Sequence, residues 1–142
     1  MPSNAHAAKG YDACQRQVGI WSQQALVTPT HRPLNYRETH RPREKGIDVA
    51  LAIDFVRCAI EDDYDVGIMF SGDTDLLPAL EMVIDKKGPA SCEVAAWAPA
   101  QGGRHPRALR VKDRWTHIHF LDESRYRHVE DPTDYTKKRR RR

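Results

Sequence analysis

The residues of this chain best suited to chemistry are the two carboxylates of Ser71-Gly72-Asp73-Thr74-Asp75, set two residues apart beside a glycine. Carboxylates are the matched ligands of hard divalent cations, and a turn that holds two of them favours a bound cation. Helix capping is the competing use of an aspartate in such a place. One cap consumes one carboxylate, so capping alone leaves the second acid without a role.

The elements around this turn can be read from pattern. Upstream, Val66-Gly67-Ile68-Met69-Phe70 is a short apolar run bounded by Asp65 and Ser71, which predicts a strand buried on both faces. Downstream a helix is expected to about Lys87, where Gly88-Pro89 stops it. Pro78 has no amide proton to donate and belongs in the donor-free first turn, which puts the cap at about Asp75 or later and leaves Asp73 in the loop. In open parallel α/β sheets ligands sit just beyond the carboxyl ends of the strands, which is where this turn falls.

The other elements follow in the same way. Tyr11, Cys14, Val18, Trp21 and Ala25 step by three and four, predicting an amphipathic helix to about Leu26. Val27 to Arg32 reads as a short edge strand limited by Pro29 and Pro33. From Gly46 to Ile60 a second helix places Ile47, Ala50, Leu51, Phe55, Cys58 and Ala59 on one face. Asp48 lies in its first turn, where the helix dipole favours a carboxylate whatever its function. Cys92 to Trp97 reads as a buried strand, Trp115 to Leu121 as an alternating last strand, and Asp122 as the cap of a short helix to Val129. His117 and His119 share the exposed side of that last strand and are read as bystanders, not metal ligands. Strands and helices alternate through the middle of the chain, so the expected fold is three-layer α/β around a mainly parallel sheet with right-handed crossovers.

The chain has 142 residues, enough for one domain with a real core. Its net charge of +3 is a property of the tail: 23 Lys and Arg face 20 Asp and Glu, but six of the 23 lie in Lys137 to Arg142, so the rest carries 17 against 20, or −3. Such a run binds polyanions or acts as an address. Cys14, Cys58 and Cys92 are odd in number with no C-x-x-C spacing, which argues against a disulfide framework or zinc knuckle and fits a reducing, cytoplasmic setting. No apolar run approaches a membrane span, and no signal segment opens the chain. The expected organisation is a disordered 1–9, a domain over 10–131 and a disordered basic tail over 132–142.

Two further stretches are rich in cations. His31 to Lys45 holds Arg32, Arg37, Arg41, Arg43 and Lys45 around Tyr36, and reads either as a solvated connector or as a phosphate-tracking surface with one stacking ring. Ala98 to Arg114 is a second basic loop, with Arg104, Arg107, Arg110, Lys112 and Arg114 among glycines and prolines.

Three stretches, Glu44-Lys45-Gly46-Ile47-Asp48-Val49-Ala50-Leu51-Ala52-Ile53-Asp54, Tyr64-Asp65-Val66 and Phe70-Ser71-Gly72-Asp73-Thr74-Asp75-Leu76, resemble the NYN domain, a branch of the PIN-like nucleases. The likeness runs from about Arg16 to Trp97 and weakens to Leu121. It implies a PIN-like, Rossmann-like fold and a divalent-metal ribonuclease with an acidic pocket at the strand carboxyl ends. Carried over by position, Asp48 matches the acid of the K-G-x-D helix start and Asp73 and Asp75 the two acids of S-G-D-x-D, so all three are expected as catalytic, metal-site residues for Mg²⁺ or Mn²⁺. Lys45 occupies the lysine before the glycine. With Arg37, Arg41, Arg43 and Ser71 it forms the expected RNA-contacting set.

The chain departs from the family pattern at its start. The family begins with a strand ending in a further metal-site Asp, and no apolar strand precedes the first helical pattern here, so either an N-terminally shortened member or fragment, or a misassigned start, is expected. RNA is the expected partner, with no membrane role and with a homo-oligomer or protein partner left open. The alternative to an active ribonuclease is a catalytically weakened RNA-binding or partner-binding module. A third reading is a structural α/β domain whose acids are only caps.

Overall fold

A computed structural model describes residues 5–32, 45–98 and 107–137, with side chains from residue 9 onward. The expected RNA-contacting residues Arg37, Arg41 and Arg43, and the ring of Tyr36, lie outside the described residues. The chain divides into two compact units, one of Met1–Ile47 with Asp131–Arg142 and one of Asp48–Glu130.

The first unit is built on helix α1, Ala5–Trp21. It starts earlier than its apolar stripe, taking in residues expected to be unstructured, because Ala5, Ala7 and Ala8 are strong helix formers. It also stops earlier, at Trp21 and not near Leu26. Ser22 Oγ donates to the Val18 carbonyl at 2.7 Å, and turns follow. Residues 27–32 form no strand. Asp131 packs against this helix together with residues 132–137 of the expected tail: Arg16 Nε donates to the Tyr135 carbonyl at 2.8 Å, and Trp21 Nε1 to the Tyr135 hydroxyl at 3.1 Å. Hydrogen bonds from Thr133 and then Tyr135 hold the Asp131 carboxyl well below the usual carboxylate range.

The second unit carries the sheet. Helix α2 (Ile47–Ile60) leads to strand β1 (Gly67–Phe70), a 3-10 turn (Thr74–Leu76), helix α3 (Leu77–Lys87), strands β2 (Cys92–Trp97) and β3 (His117–Leu121), and helix α4 (Glu123–Val129). The order is β1-β2-β3 and both pairings are parallel, with Met69 opposite Val94 and Ala95 opposite His119. The α/β fold with a parallel sheet is therefore present.

One sheet face is the core. Met69, Cys92 and Val94 pack with Phe55 and Ala59 of α2 and with Leu80, Val83 and Ile84 of α3. Gly67 lies so close beneath α2 that a Cβ there would fall 2.6 Å from the Tyr64 ring and 2.7 Å from that of Phe55. Tyr64 is fixed by its hydroxyl donating to the Phe55 carbonyl at 2.7 Å. Two residues of the second basic loop, Leu109 and Val111, also enter this core.

The opposite face is more open. Strand β1 was expected to be buried on both faces, but among the described residues it lies at the edge of the sheet, and its Ile68 and Phe70 side chains are half-exposed. Alternation sends Gly67 and Met69 to the helices and Ile68 and Phe70 the other way. Helix α4, capped by Asp122 as expected, reaches the open face through Tyr126, which meets Trp97 edge-on at 5.8 Å.

Candidate active site

Strand β1 ends at Phe70, and the Ser71-Gly72-Asp73 turn leaves the sheet at its carboxyl edge. The turn is held by short-range polar contacts. The Asp73 amide donates to Ser71 Oγ at 3.1 Å, and Asp73 Oδ1 accepts from the Asp75 amide at 3.0 Å. Asp73 is thus itself an N-cap, of the 3-10 turn Thr74–Leu76, one turn ahead of the expected position. Pro78 then sits in the first turn of α3 as the missing amide requires, and Leu76 caps that helix with no side-chain bond.

This geometry separates the two acids chemically. Asp73 uses one oxygen to cap. Asp75 has no capping role in its own turn and its side chain is exposed. Ser71 is half-buried and its hydroxyl oxygen is occupied by the Asp73 amide, so it acts first as a brace of the turn. Asp48 is exposed in the first turn of α2. Lys45 is exposed and belongs to the first unit. Gly46 beside it adopts φ +80°, a left-handed conformation that glycine takes without a steric cost.

The capping bond ties the Asp73 carboxylate to the Asp75 backbone amide, so the two residues share one braced turn. Among the described residues, no group of three or more His, Cys, Asp or Glu side chains is gathered so that it could hold a metal ion. The Asp73–Asp75 pair matches Mg²⁺ or Mn²⁺ in donor chemistry, since Mg²⁺ keeps several waters and commonly takes only one or two protein carboxylates.

Sequence reasoning missed two neighbours of this turn. The Arg107 carbonyl oxygen lies 3.9 Å from where a Gly72 Cβ would be, so the second basic loop returns to the acidic turn. Its only sequence signal was the run of cations itself. At the ends of β1 and β2, Phe70 and Trp97 stand with ring centroids 5.0 Å apart. That pairing depends on β1 and β2 being neighbours in register, which no local pattern reveals.

A shallow apolar groove between α2 and α3, lined by residues such as Ile53, Val56, Ile60 and Met82, has only Arg57 and Glu61 as charged groups, and these pair with each other. It offers nothing suited to a phosphate. Among the described residues no helix is long and apolar enough to cross a membrane.

The NYN domain family matches residues 4–114, which include both acidic motifs, all of β1 and β2, and the basic segment up to Arg114. The match begins before the Arg16 expected from the motifs and ends at Arg114, within the stretch from Trp97 to Leu121 over which the likeness was expected to weaken. No curated relative and no solved structure matches the chain. The PIN-like nucleases, of which this family is a branch, are generally divalent-metal dependent. With the family matched over most of its length and the S-G-D-x-D turn at the carboxyl end of a parallel strand, this chain belongs to the NYN domain family of PIN-like nucleases.

Proposed function

We propose that the protein is a metal-dependent ribonuclease that hydrolyses phosphodiester bonds of RNA at the carboxyl edge of its sheet. The observation that carries this reading is the pair Asp73 and Asp75 on one braced turn, directly after β1 and before α3. Mg²⁺ or Mn²⁺, when bound, would neutralise charge building on the phosphate oxygens and lower the pKa of a bound water.

The residues of this chain then have distinct tasks. Asp75 is exposed and supplies a carboxylate to the cation. Asp73 supplies its second oxygen, while its first keeps the turn closed through the Asp75 amide. Ser71 fixes the turn from the other side by accepting from the Asp73 amide. Asp48, exposed in the first turn of α2 and not gathered with the pair into a three-ligand group, is left the task of orienting the attacking water. Lys45, Arg37, Arg41 and Arg43 are cations for the RNA backbone, and Arg107, whose backbone lies beside Gly72, is a further cation for it in the second unit.

The test is incubation of the full chain with end-labelled single-stranded RNA, with Mn²⁺ or Mg²⁺ or with EDTA. Shortening of the RNA that requires the divalent ion supports the proposal. A second reading, an RNA-binding module weakened in catalysis, is favoured by the absence of a third gathered ligand among the described residues. It predicts RNA binding with no cleavage in any of these conditions.

A further inference from the structure

We propose that the open sheet face at the carboxyl ends of β1 and β2 is a stacking platform for the bases of single-stranded RNA, built from Phe70, Trp97 and Tyr126. The proposal rests on the ribonuclease reading above and adds the form in which that site takes its substrate.

The three rings form a continuous row. Phe70 and Trp97 are 5.0 Å apart between centroids and tilted by 57°, and Trp97 and Tyr126 are 5.8 Å apart at 81°. They remain 47%, 50% and 42% exposed, respectively. Aromatic side chains ordinarily dominate cores and interfaces, so three in contact at a surface form a patch that calls for an occupant.

Position and charge select the occupant. Phe70 immediately precedes Ser71, so one end of the row adjoins the turn that carries Asp73 and Asp75. The exposed cations Arg107 and Arg110 lie on the segment that returns to Gly72, and exposed Arg125 precedes Tyr126 on α4. Exposed cations on the segments that reach the acidic turn and carry Tyr126 suit a polyanion whose bases stack on the rings, and they disfavour an aliphatic protein surface. At the amino-terminal half of the same face, the Glu93 carboxylate accepts a hydrogen bond from His119 Nε2 at 2.5 Å, and its negative charge opposes a phosphate there. The row is thus confined to the end nearest the acidic turn. Bases in a duplex are stacked on each other and cannot offer their faces, so the ligand is single-stranded; three rings suit about two or three bases. Tyr126 lies beyond the residues matched by the family, so one member of the row is a feature of this chain's own C-terminal helix.

The experiment is fluorescence anisotropy of a labelled short oligoadenylate with the full chain in EDTA, which separates binding from cleavage. Trp97→Ala should weaken binding by about tenfold or more, the effect of losing one stacked base, and Trp97→Phe should restore most of it. An abasic ribose-phosphate oligomer of the same length should bind weakly and alike to both proteins, and a duplex should compete poorly. Should Trp97→Ala fail to fold, Tyr126→Ala on the exposed face of α4 carries the same expectation. Unchanged affinity in both variants, or an abasic oligomer bound as tightly as the base-bearing one, overturns the platform. Self-association of the wild type, lost in Trp97→Ala with no RNA bound, also overturns it and assigns the face to a protein contact. A platform that passes while no condition yields cleavage leaves stacking intact and removes the ribonuclease reading; cleavage that persists with unchanged Trp97→Ala affinity removes the platform alone.

Discussion

Gly67→Ala tests how tightly the start of β1 is clamped under α2. The added Cβ would lie 2.6 and 2.8 Å from two Tyr64 ring carbons and 2.7 Å from one of Phe55, whereas ordinary contact begins at 3.4 Å. Both rings would therefore have to retreat by 0.6 to 0.8 Å. Neither is a free end. Phe55 is buried in the core, and Tyr64 is tied to the Phe55 carbonyl by its 2.7 Å hydrogen bond. Overpacking of this kind costs about 1–3 kcal/mol, and the reduced freedom of the unfolded chain returns about 0.4–1 kcal/mol, so a net loss of about 1–2 kcal/mol is expected. In urea unfolding followed by tryptophan fluorescence, the midpoint should fall by about 0.5–1 M with an unchanged slope. Combining Gly67→Ala with Tyr64→Ala should cost less than the sum of the two single changes, because the second empties the space the first needs. A Gly67→Ala protein as stable as wild type would refute the close approach of β1 to these rings.

Other outcomes follow from the same packing and hydrogen bonds. Burial pushes the Tyr64 phenol up to about 12 and the Cys92 thiol up to about 11, so both stay protonated when folded after their unfolded counterparts ionise. The unfolded state then binds fewer protons, and stability should fall as pH rises from about 9 through 12, with Tyr64→Phe removing the tyrosine part of the fall, as read by urea midpoints across that range. A thiol reagent should modify exposed Cys14 rapidly in the native protein and fully buried Cys92 only on unfolding, which mass spectrometry after a timed pulse would resolve. Asp122→Ala removes the acceptor of the Arg125 amide and should cost about 0.5–2 kcal/mol in the same unfolding assay. Deleting Lys137 to Arg142 should flatten the dependence of log RNA affinity on log salt by up to about 0.7 for every RNA phosphate that the tail neutralises.

Much of this architecture is legible in the sequence where a local signal is strong. Strand β2 is bracketed by Gly88-Pro89 and the Pro-Gly-rich segment after Trp97, and it forms over the expected Cys92–Trp97. The Asp122 cap and α4 appear as read, because a cap followed by a short helix needs no long-range information. The acidic turn and the family it signals were legible for the same reason. What escaped depends on partners distant in sequence. The apolar run of β1 reads as doubly buried, but its position at the sheet edge is set by strand order. Leu109 and Val111 looked like loop residues because arginines surround them, although their alternate spacing sends both into the core. Pro78 argues for a cap later than Asp73, but a 3-10 turn ahead of α3 lets Asp73 cap one element and Pro78 open the next. The row Phe70–Trp97–Tyr126 joins three elements and has no counterpart in any single stretch.

The most direct test of the account is the rate of Mn²⁺-dependent RNA cleavage by Asp73→Asn beside its urea midpoint. Asparagine caps about as well as aspartate, so the exchange keeps the bond to the Asp75 amide and removes only the charge. As a metal-site carboxylate, Asp73 should be worth about 100-fold or more in cleavage rate, with the midpoint essentially that of wild type. An Asp73→Asn protein that cleaves RNA as fast as wild type would show that Asp73 is a helix cap and nothing more, and the assigned site would be wrong.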